Sequence, residues 1–157
     1  MTPIEGATIV LGVFIDELKV GDTFTSPSKT LTDAHFLFFS GLTGDNHPIH
    51  YDVEYAKQTR FGKPLAHGLM LASMTALGAG PASHRLDGFI FHEQGSRFLK
   101  PVAVGDTIHP RHTVAKIWTE GHRRYVRFDT AITNQRGETV LEGFHVYRVL
   151  ERRQAGA

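Results

Sequence analysis

The sequence predicts an α+β fold in which a curled antiparallel sheet of about five or six strands wraps around a central apolar helix. Alternating apolar and polar residues fill most of the second half of the chain, as in half-buried strands. Before them lies the stretch 65–79, which is apolar nearly all round and rich in small residues, typical of a helix buried on most sides. Because no other segment is apolar and long enough to cover the sheet, we expect the sheet to curl around this helix.

Four strands are predicted in the alternating region, separated by turns rich in Pro, Gly, Asn and Asp. An earlier strand is predicted at 23–30, after a bend that contains Gly21. The later four are expected at about 88–99, 107–118, 123–134 and 139–150.

Two shorter helices are predicted between the early strand and the central helix. Thr32 or Asp33 can cap a helix that runs to about residue 43, and Phe36 and Phe39 share the face that we expect to pack on the core. A second helix, at about 53–59, is expected to be capped by Asp52, and Pro64 suits the start of the central helix.

A chain of 157 residues corresponds to one domain. We expect an N-terminal arm at 1–13, a single domain at 14–150 and a frayed polar tail at 151–157.

Composition excludes several classes of partner. The 17 Lys and Arg residues nearly balance the 16 Asp and Glu residues, so the chain lacks the positive field of a nucleic-acid-binding protein. No apolar run approaches the roughly 20 residues of a membrane span, and the N-terminus does not resemble a signal peptide. The sequence therefore predicts a soluble cytoplasmic protein with neither nucleic acid nor membrane as a partner.

The chain contains no cysteine, so it can form no disulfide and offers no thiol nucleophile. Its ten histidines raise the question of a metal site. His47 and His50 are three residues apart, but no further ligands follow at the spacing of a known metal motif, and the other histidines are scattered. We expect no metal.

The densest group of polar residues is the stretch 44–50, which directly follows the predicted aromatic helix. Asp45 and His50, five positions apart on a turn, can converge on one water, with each accepting one of its protons. Pro48 restricts the turn and holds their separation. Alternatively, Asp45 caps the next helix and His50 is an ordinary turn residue.

The stretch 40–52 resembles the signature of the MaoC-like, or (R)-specific enoyl-CoA hydratase, branch of the hotdog superfamily. Its five matching positions are Gly44, Asp45, Pro48, Ile49 and His50, and His47 stands where the family usually has Asn. The resemblance extends over about 14–150 and implies the hotdog fold, with Asp45 and His50 as catalytic residues.

A second motif, Ala66-His67-Gly68-Leu69, also resembles the family pattern. The resemblance implies that the Gly68 N–H receives the thioester carbonyl of the substrate. Free N–H groups and the positive end of a helix dipole make this role physically reasonable.

The expected activity is reversible hydration of a trans-2-enoyl-CoA to a (R)-3-hydroxyacyl-CoA, without a cofactor. Two alternatives stay open: a hotdog acyl-CoA thioesterase, and a non-catalytic acyl-CoA-binding subunit. His50 favours hydration over thioester hydrolysis. A thioesterase needs only one well-placed carboxylate, whereas hydration also uses the imidazole beside Asp45.

We also expect a homodimer or a higher even oligomer, because a curled sheet leaves an unpaired edge strand. The resemblance implies that two sheets join edge to edge and that the acyl chain enters along the boundary. Arg97 and Lys100 are candidate contacts for the CoA phosphates, and His47 is a candidate substrate contact. Candidates for the pocket lining are the apolar residues Met70, Met74, Phe89 and Phe91.

Overall fold

The structure, a computed structural model, describes residues 17–80 and 88–150. Six antiparallel strands form one sheet in the order β1-β4-β5-β6-β3, with β2 paired to β4 beside β1. The strands are β1 (Thr23–Thr25), β2 (Lys29–Thr30), β3 (Phe89–Phe98), β4 (Thr107–Glu120), β5 (Arg123–Asn134) and β6 (Thr139–Val149). The helices are α1 (Asp33–Thr43), α2 (Val53–Lys57) and α3 (Gly68–Ser73), with 3₁₀ turns at Pro48–His50 and Leu77–Ala79.

The sheet confirms the predicted fold class, and the four long strands lie where the alternation predicted them. The early strand is interrupted, because the chain between β1 and β2 contains Pro27, which has no N–H for the ladder. The expected arm at 1–13 and the expected tail at 151–157 lie outside the described residues, as do residues 14–16 and 81–87 of the expected domain.

The central helix is shorter than predicted. Instead of spanning 65–79 it covers only Gly68–Ser73, and the residues after Pro64 are extended, with Leu65 bridged to Ala103. The hydroxyls of Ser73 and Thr75 donate to backbone carbonyls three residues earlier, at 2.6 Å each, which competes with continued helix. A 3₁₀ turn follows instead.

Burial of α3 is also less complete than expected. Met70 and Leu71 are buried against the sheet, whereas Leu69 is 69% exposed in the single chain. The two shorter helices begin as predicted: Thr32 caps α1, and the Asp52 side chain accepts from the Tyr55 N–H at the start of α2.

Two apolar clusters fill the inner face of the sheet. The first core cluster joins α1, α3 and one end of the sheet, and includes Phe36, Met70, Ile108, Ile132 and Leu141. The second core cluster lies at the other end and comprises Leu18, Leu77, Val114, Val126, Phe128 and Tyr147. The first cluster provides the firm base on which α1 delivers the motif 44–50.

In the described ranges 17–80 and 88–150, none of the helices has the length and apolar character required to cross a bilayer.

His112, on the inner face of β4, gives the fold a pH dependence. The residue is only 1% exposed, and burial, with a smaller contribution from the charge of His145, lowers the pKa of His112 from 6.5 to about 4. As the pH falls from 6.5 toward 4, His112 therefore binds a proton in the unfolded chain but stays largely neutral in the folded chain. Stability that is present above this pH is lost on acidification.

We predict that His112 alone removes about 2 kcal/mol from the free energy of unfolding between pH 7 and pH 5. Urea unfolding of His112→Phe at the two pH values should show a smaller loss than the unmodified protein. His122→Gln, at an exposed turn, serves as the control and should retain the full loss. An equal loss in His112→Phe would contradict the assignment.

Candidate active site

The end of α1 positions Asp45. Gly44 ends the helix in the left-handed region, with φ 79°, and its N–H donates to the Ser40 carbonyl at 2.8 Å. This conformation suits glycine, which explains the residue at this point of the motif. The Thr43 hydroxyl then accepts from the Asp45 N–H at 3.2 Å, and Asp45 projects from the turn with its side chain 52% exposed.

The 3₁₀ turn Pro48–His50 positions the second residue of the pair. His47 caps this turn, because its Nδ1 accepts from the Ile49 N–H at 3.2 Å. Asn and Asp side chains commonly cap turns in this way, so His47 can perform the capping that an Asn would perform. Its ring also lies edge-on to Tyr55, with centroids 5.7 Å apart.

A single hydrogen bond orients the His50 ring. Its Nδ1–H donates to the Leu65 carbonyl at 2.7 Å, which defines the neutral tautomer and leaves the lone pair on Nε2. That Nε2 lies 4.0 Å from Asp45 Oδ2. The structure therefore brings Asp45 and His50 together, as the sequence predicted.

The separation is too long for a direct hydrogen bond and suits one bridging water. Both facing atoms are acceptors, the Asp45 carboxylate and the His50 lone pair, so the water would donate both its protons to the pair. Its oxygen lone pairs then face away from the protein. Such a water is prepared to act as a nucleophile when one acceptor takes its proton.

His67, which sequence reasoning did not select as a site residue, holds both members of the pair. Its Nε2–H donates to the Asp45 carbonyl at 3.2 Å and lies 3.0 Å from the Ser40 hydroxyl. Its ring stacks on that of His50, with centroids 3.6 Å apart and planes 19° apart. The signal available in the sequence was its position directly before Gly68.

His67 is 1% exposed, and its Nδ1 has no hydrogen-bond partner in the described part of the chain. Burial, opposed by the hydrogen bond to the Asp45 carbonyl, lowers the pKa of His67. The lowered pKa favours the neutral form of His67. A neutral His67 ring can stack on His50 without charge repulsion, even when His50 carries a proton.

Gly68 follows as the first residue of α3. Within 17–80 and 88–150 its N–H meets no acceptor, as expected for a first-turn amide. A Cβ built on Gly68 would lie 3.5 Å from the Phe98 ring, an ordinary contact. The absence of a side chain at Gly68 therefore leaves space between its amide and Phe98. This space lies next to His67, which contacts both Asp45 and His50.

The same three side chains have to be considered as a metal site, because Asp45, His50 and His67 each place a possible ligand atom within 4.8 Å of the others. A zinc ion bonds an imidazole nitrogen at about 2.0–2.1 Å, close to the plane of the ring. Two nearly parallel rings 3.6 Å apart cannot both direct a lone pair at one ion. The geometry favours a hydrogen-bonded water over shared coordination.

Arg97 and Lys100 are not brought to this pair within the single chain. Arg97 pairs with Glu142 at 2.9 Å, on the sheet face opposite to Phe98 and α3, and Lys100 pairs with Glu138 at 2.6 Å. The Arg97–Glu142 pair is exposed and isolated, and pairs of this kind are weak, so a phosphate can compete for Arg97. Glu138 also accepts from Asn134 and Arg136, so the Lys100 pair is part of a network.

An apolar cavity of about 470 Å³ lies between α1 and α3. Two of the four expected lining residues, Met70 and Met74, contribute to it, together with Phe38, Phe39 and Leu42. Phe91 lines a separate cavity on the other side of α3, whereas Phe89 packs against the second core cluster.

Comparison with known proteins agrees with this geometry. The sequence family described as "MaoC like domain" matches residues 17–136. The (R)-specific enoyl-CoA hydratase of Rhodospirillum rubrum is 32% identical over 132 residues, which cover 83% of this chain and 87% of the relative. The 3-hydroxybutyryl-CoA dehydratase of Methylorubrum extorquens is 28% identical over 145 residues, 91% of this chain and 88% of the relative.

Solved structures give the same result. The MaoC-like dehydratase from Rhodospirillum rubrum superposes with a TM-score of 0.77 at 29% identity, covering 91% of this chain and 100% of that one. The (R)-hydratase from A. caviae, described as involved in PHA biosynthesis, gives a TM-score of 0.75 at 28% identity, covering 85% and 98%. The fold is the hotdog fold, and the chain belongs to the MaoC-like domain family.

Proposed function

We propose that the protein is an acyl-CoA hydro-lyase that reversibly hydrates a trans-2-enoyl-CoA to a (R)-3-hydroxyacyl-CoA. The observation that carries this proposal is the 4.0 Å gap between Asp45 Oδ2 and His50 Nε2. Two acceptors at this spacing hold one water by both its protons. Relatives of similar length that are named hydratase or dehydratase support the same reaction.

The reaction begins at the carbonyl. We assign the Gly68 N–H as the donor to the thioester oxygen, because this N–H is free and lies beside the pair. Its hydrogen bond strengthens as negative charge develops on the oxygen, and one such donor contributes about 3 kcal/mol in other enzymes. Polarisation of the carbonyl makes the third carbon of the acyl chain electrophilic.

Asp45 and His50 then handle one proton between them. The water oxygen bonds to the third carbon as one of the pair removes a proton from it, and the resulting enolate takes a proton on the second carbon. Delivery of the same proton restores the pair and completes the net addition of one water. No external cofactor enters this balance.

The structure also bears on the two alternative functions. A thioesterase would direct the water at the carbonyl carbon and would release a thiol, and a binding subunit would need neither residue. His50 has its tautomer set by Leu65 and its face packed on His67, an arrangement that a turn residue without a chemical role does not require. Hydration is the one of the three functions that uses both the Asp45 carboxylate and the oriented His50 imidazole.

We predict that crotonyl-CoA loses its conjugated enoyl absorbance without release of free thiol. Asp45→Asn and His50→Ala should each lower kcat by at least about 10²-fold with unchanged circular dichroism, as expected when a positioned acid-base group is removed. Asp52→Asn, in a helix cap outside the site, is the matched control and should stay near the unmodified rate. Free thiol would indicate a thioesterase, and near-normal rates in both site variants would overturn the assignment.

The substrate contacts expected from the sequence remain proposals. His47 can face the substrate beside His50, although its ring already caps the 3₁₀ turn. Arg97 and Lys100 are proposed to exchange their carboxylate partners for CoA phosphates. The cytoplasmic location likewise stays a prediction.

We further propose that the working unit is a homodimer or a higher even oligomer. β3 ends the sheet and pairs only with β6 among the described strands, so one row of its backbone groups is open. Large apolar side chains beside it are exposed in the single chain, including Leu69, Phe91 and Phe98. Pairing of two β3 strands would satisfy the backbone and cover this surface in one self-complementary contact.

The expected mass in solution is accordingly at least twice 17.4 kDa. Light scattering during size exclusion at low micromolar concentration measures it directly. Glu93→Pro, on the exposed edge strand, should weaken the association because proline interrupts edge pairing. A mass near that of one chain, together with full hydratase activity, would contradict the dimer.

A further inference from the structure

A second cavity, of about 250 Å³, lies between the exposed face of α3 and the inner face of the sheet. Leu69 and Ala72, three residues apart on one face of α3, form one side of it together with Ala76, which follows the helix. Gln94 of β3 and His145 of β6, which are register partners, form part of its sheet side.

This cavity continues from the proposed carbonyl site. Phe98, at the end of β3, faces Gly68, and Gln94 lies four residues earlier on the same strand. α3 carries the wall in the same direction, since Ala72 lies about 6 Å beyond Gly68 along the helix axis. An acyl chain whose carbonyl binds the Gly68 N–H can therefore extend between α3 and β3 toward His145.

The far end of this path is polar, unlike the two core clusters on either side. Four buried polar residues, here called the polar strip, run from the turn after α3 to the inner face of the sheet: Thr75, His145, His112 and Thr130. Both ring nitrogens of His112 and the Thr130 hydroxyl have no hydrogen-bond partner within the described residues. Because unpartnered buried groups are uncommon, the strip is expected to receive polar atoms from water or ligand.

Hydrogen bonds define the state of His145. The Thr75 hydroxyl donates to the Ala72 carbonyl at 2.6 Å, so it accepts from His145 Nε2–H at 2.9 Å. The lone pair is therefore on Nδ1, whose contact with the Tyr147 hydroxyl is long, at 3.5 Å. Burial lowers the pKa of His145, which keeps the ring neutral. His145, which lines the cavity, thus has one acceptor atom whose only partner among the described residues is this long contact.

Gln94 supplies the complementary donor. Its Oε1 accepts from the Ser96 hydroxyl at 3.0 Å, which assigns the amide nitrogen to the other side. That nitrogen donates to no group in the part of the chain that the structure describes. A ligand group that both donates and accepts matches this pair better than a methyl group. A carboxylate matches less well, because it offers no proton to Nδ1 and would bring a charge into a site of neutral groups.

We propose that this cavity selects an enoyl-CoA whose acyl chain carries a hydroxyl group beyond the reacting carbons. The hydroxyl donates to His145 Nδ1 and accepts from the Gln94 amide, and the rest of the polar strip supports the neutral ring. This inference rests on the proposed hydratase function, since it places the acyl chain by the carbonyl at Gly68.

The test compares trans-2-enoyl-CoA substrates of equal chain length that end in a methyl, a hydroxyl or a carboxylate. The unmodified protein should show a kcat/KM at least about tenfold higher for the hydroxyl-ended substrate, because a site built to bond a hydroxyl is left unpaired by its analogue. His145→Leu and Gln94→Leu should each reduce or reverse this preference while retaining activity on crotonyl-CoA. His92→Leu, on the same strand but with its ring packed at a tilt against Tyr125 of the opposite face, should keep it.

Several outcomes would overturn the inference. A preference for the methyl-ended substrate would show that the end of the acyl chain binds in an apolar environment. A preference for the carboxylate-ended substrate would show that it binds beside a positive charge. An equal loss on all substrates in both variants would mean that the residues serve only the fold; Gln94 is exposed on an edge strand, so its replacement is the safer of the two. Turnover of crotonyl-CoA without discrimination refutes this inference alone, whereas no turnover of any enoyl-CoA refutes the hydratase function itself.

Discussion

The site depends on the contact between the 3₁₀ turn and the segment that enters α3. The Leu65 N–H donates to the Ile49 carbonyl at 3.0 Å, and the Leu65 carbonyl accepts from His50 Nδ1–H at 2.7 Å. This reciprocal contact sets the tautomer of His50, places Nε2 opposite Asp45 and delivers His67 to the face of the His50 ring. If it were lost, neither the separation of the two acceptors nor the position of the Gly68 amide would be fixed. The polar residues thus acquire a chemical role because two distant stretches of sequence are joined at this point.

Much of the fold and part of the site were accessible from the sequence. Alternation located the long strands because one face of the sheet is buried along its length, and the local turn geometry of 44–50 placed Asp45 and His50 together. The length of α3 was not accessible, because apolar composition does not reveal that Ser73 and Thr75 bond back to the helix backbone. The role of His67 was also missed, since it depends on contacts with residues 17 and more positions away along the chain.

The inner face of the sheet contributes residues that are proposed to contact the acyl chain. This face is apolar at both ends and polar beneath the turn that follows α3, where Thr75 and His145 form a buried hydrogen bond. Most buried polar groups have a hydrogen-bond partner in the protein, in ordered water or in a ligand. The open edge at β3 and the exposed Leu69 belong to the same region, so association of two chains and enclosure of the acyl chain would occur together.

The central claim is that Asp45 and His50 act on one shared water. A double-variant cycle tests this claim most directly, because groups that act as a unit give losses that do not add. Rates of crotonyl-CoA hydration would be measured for the unmodified protein, both single variants and the combined Asp45→Asn and His50→Ala variant. If the two residues share one water, the combined variant will be little slower than the slower single variant. Losses that multiply would show that the two residues serve separate steps and would contradict the shared water.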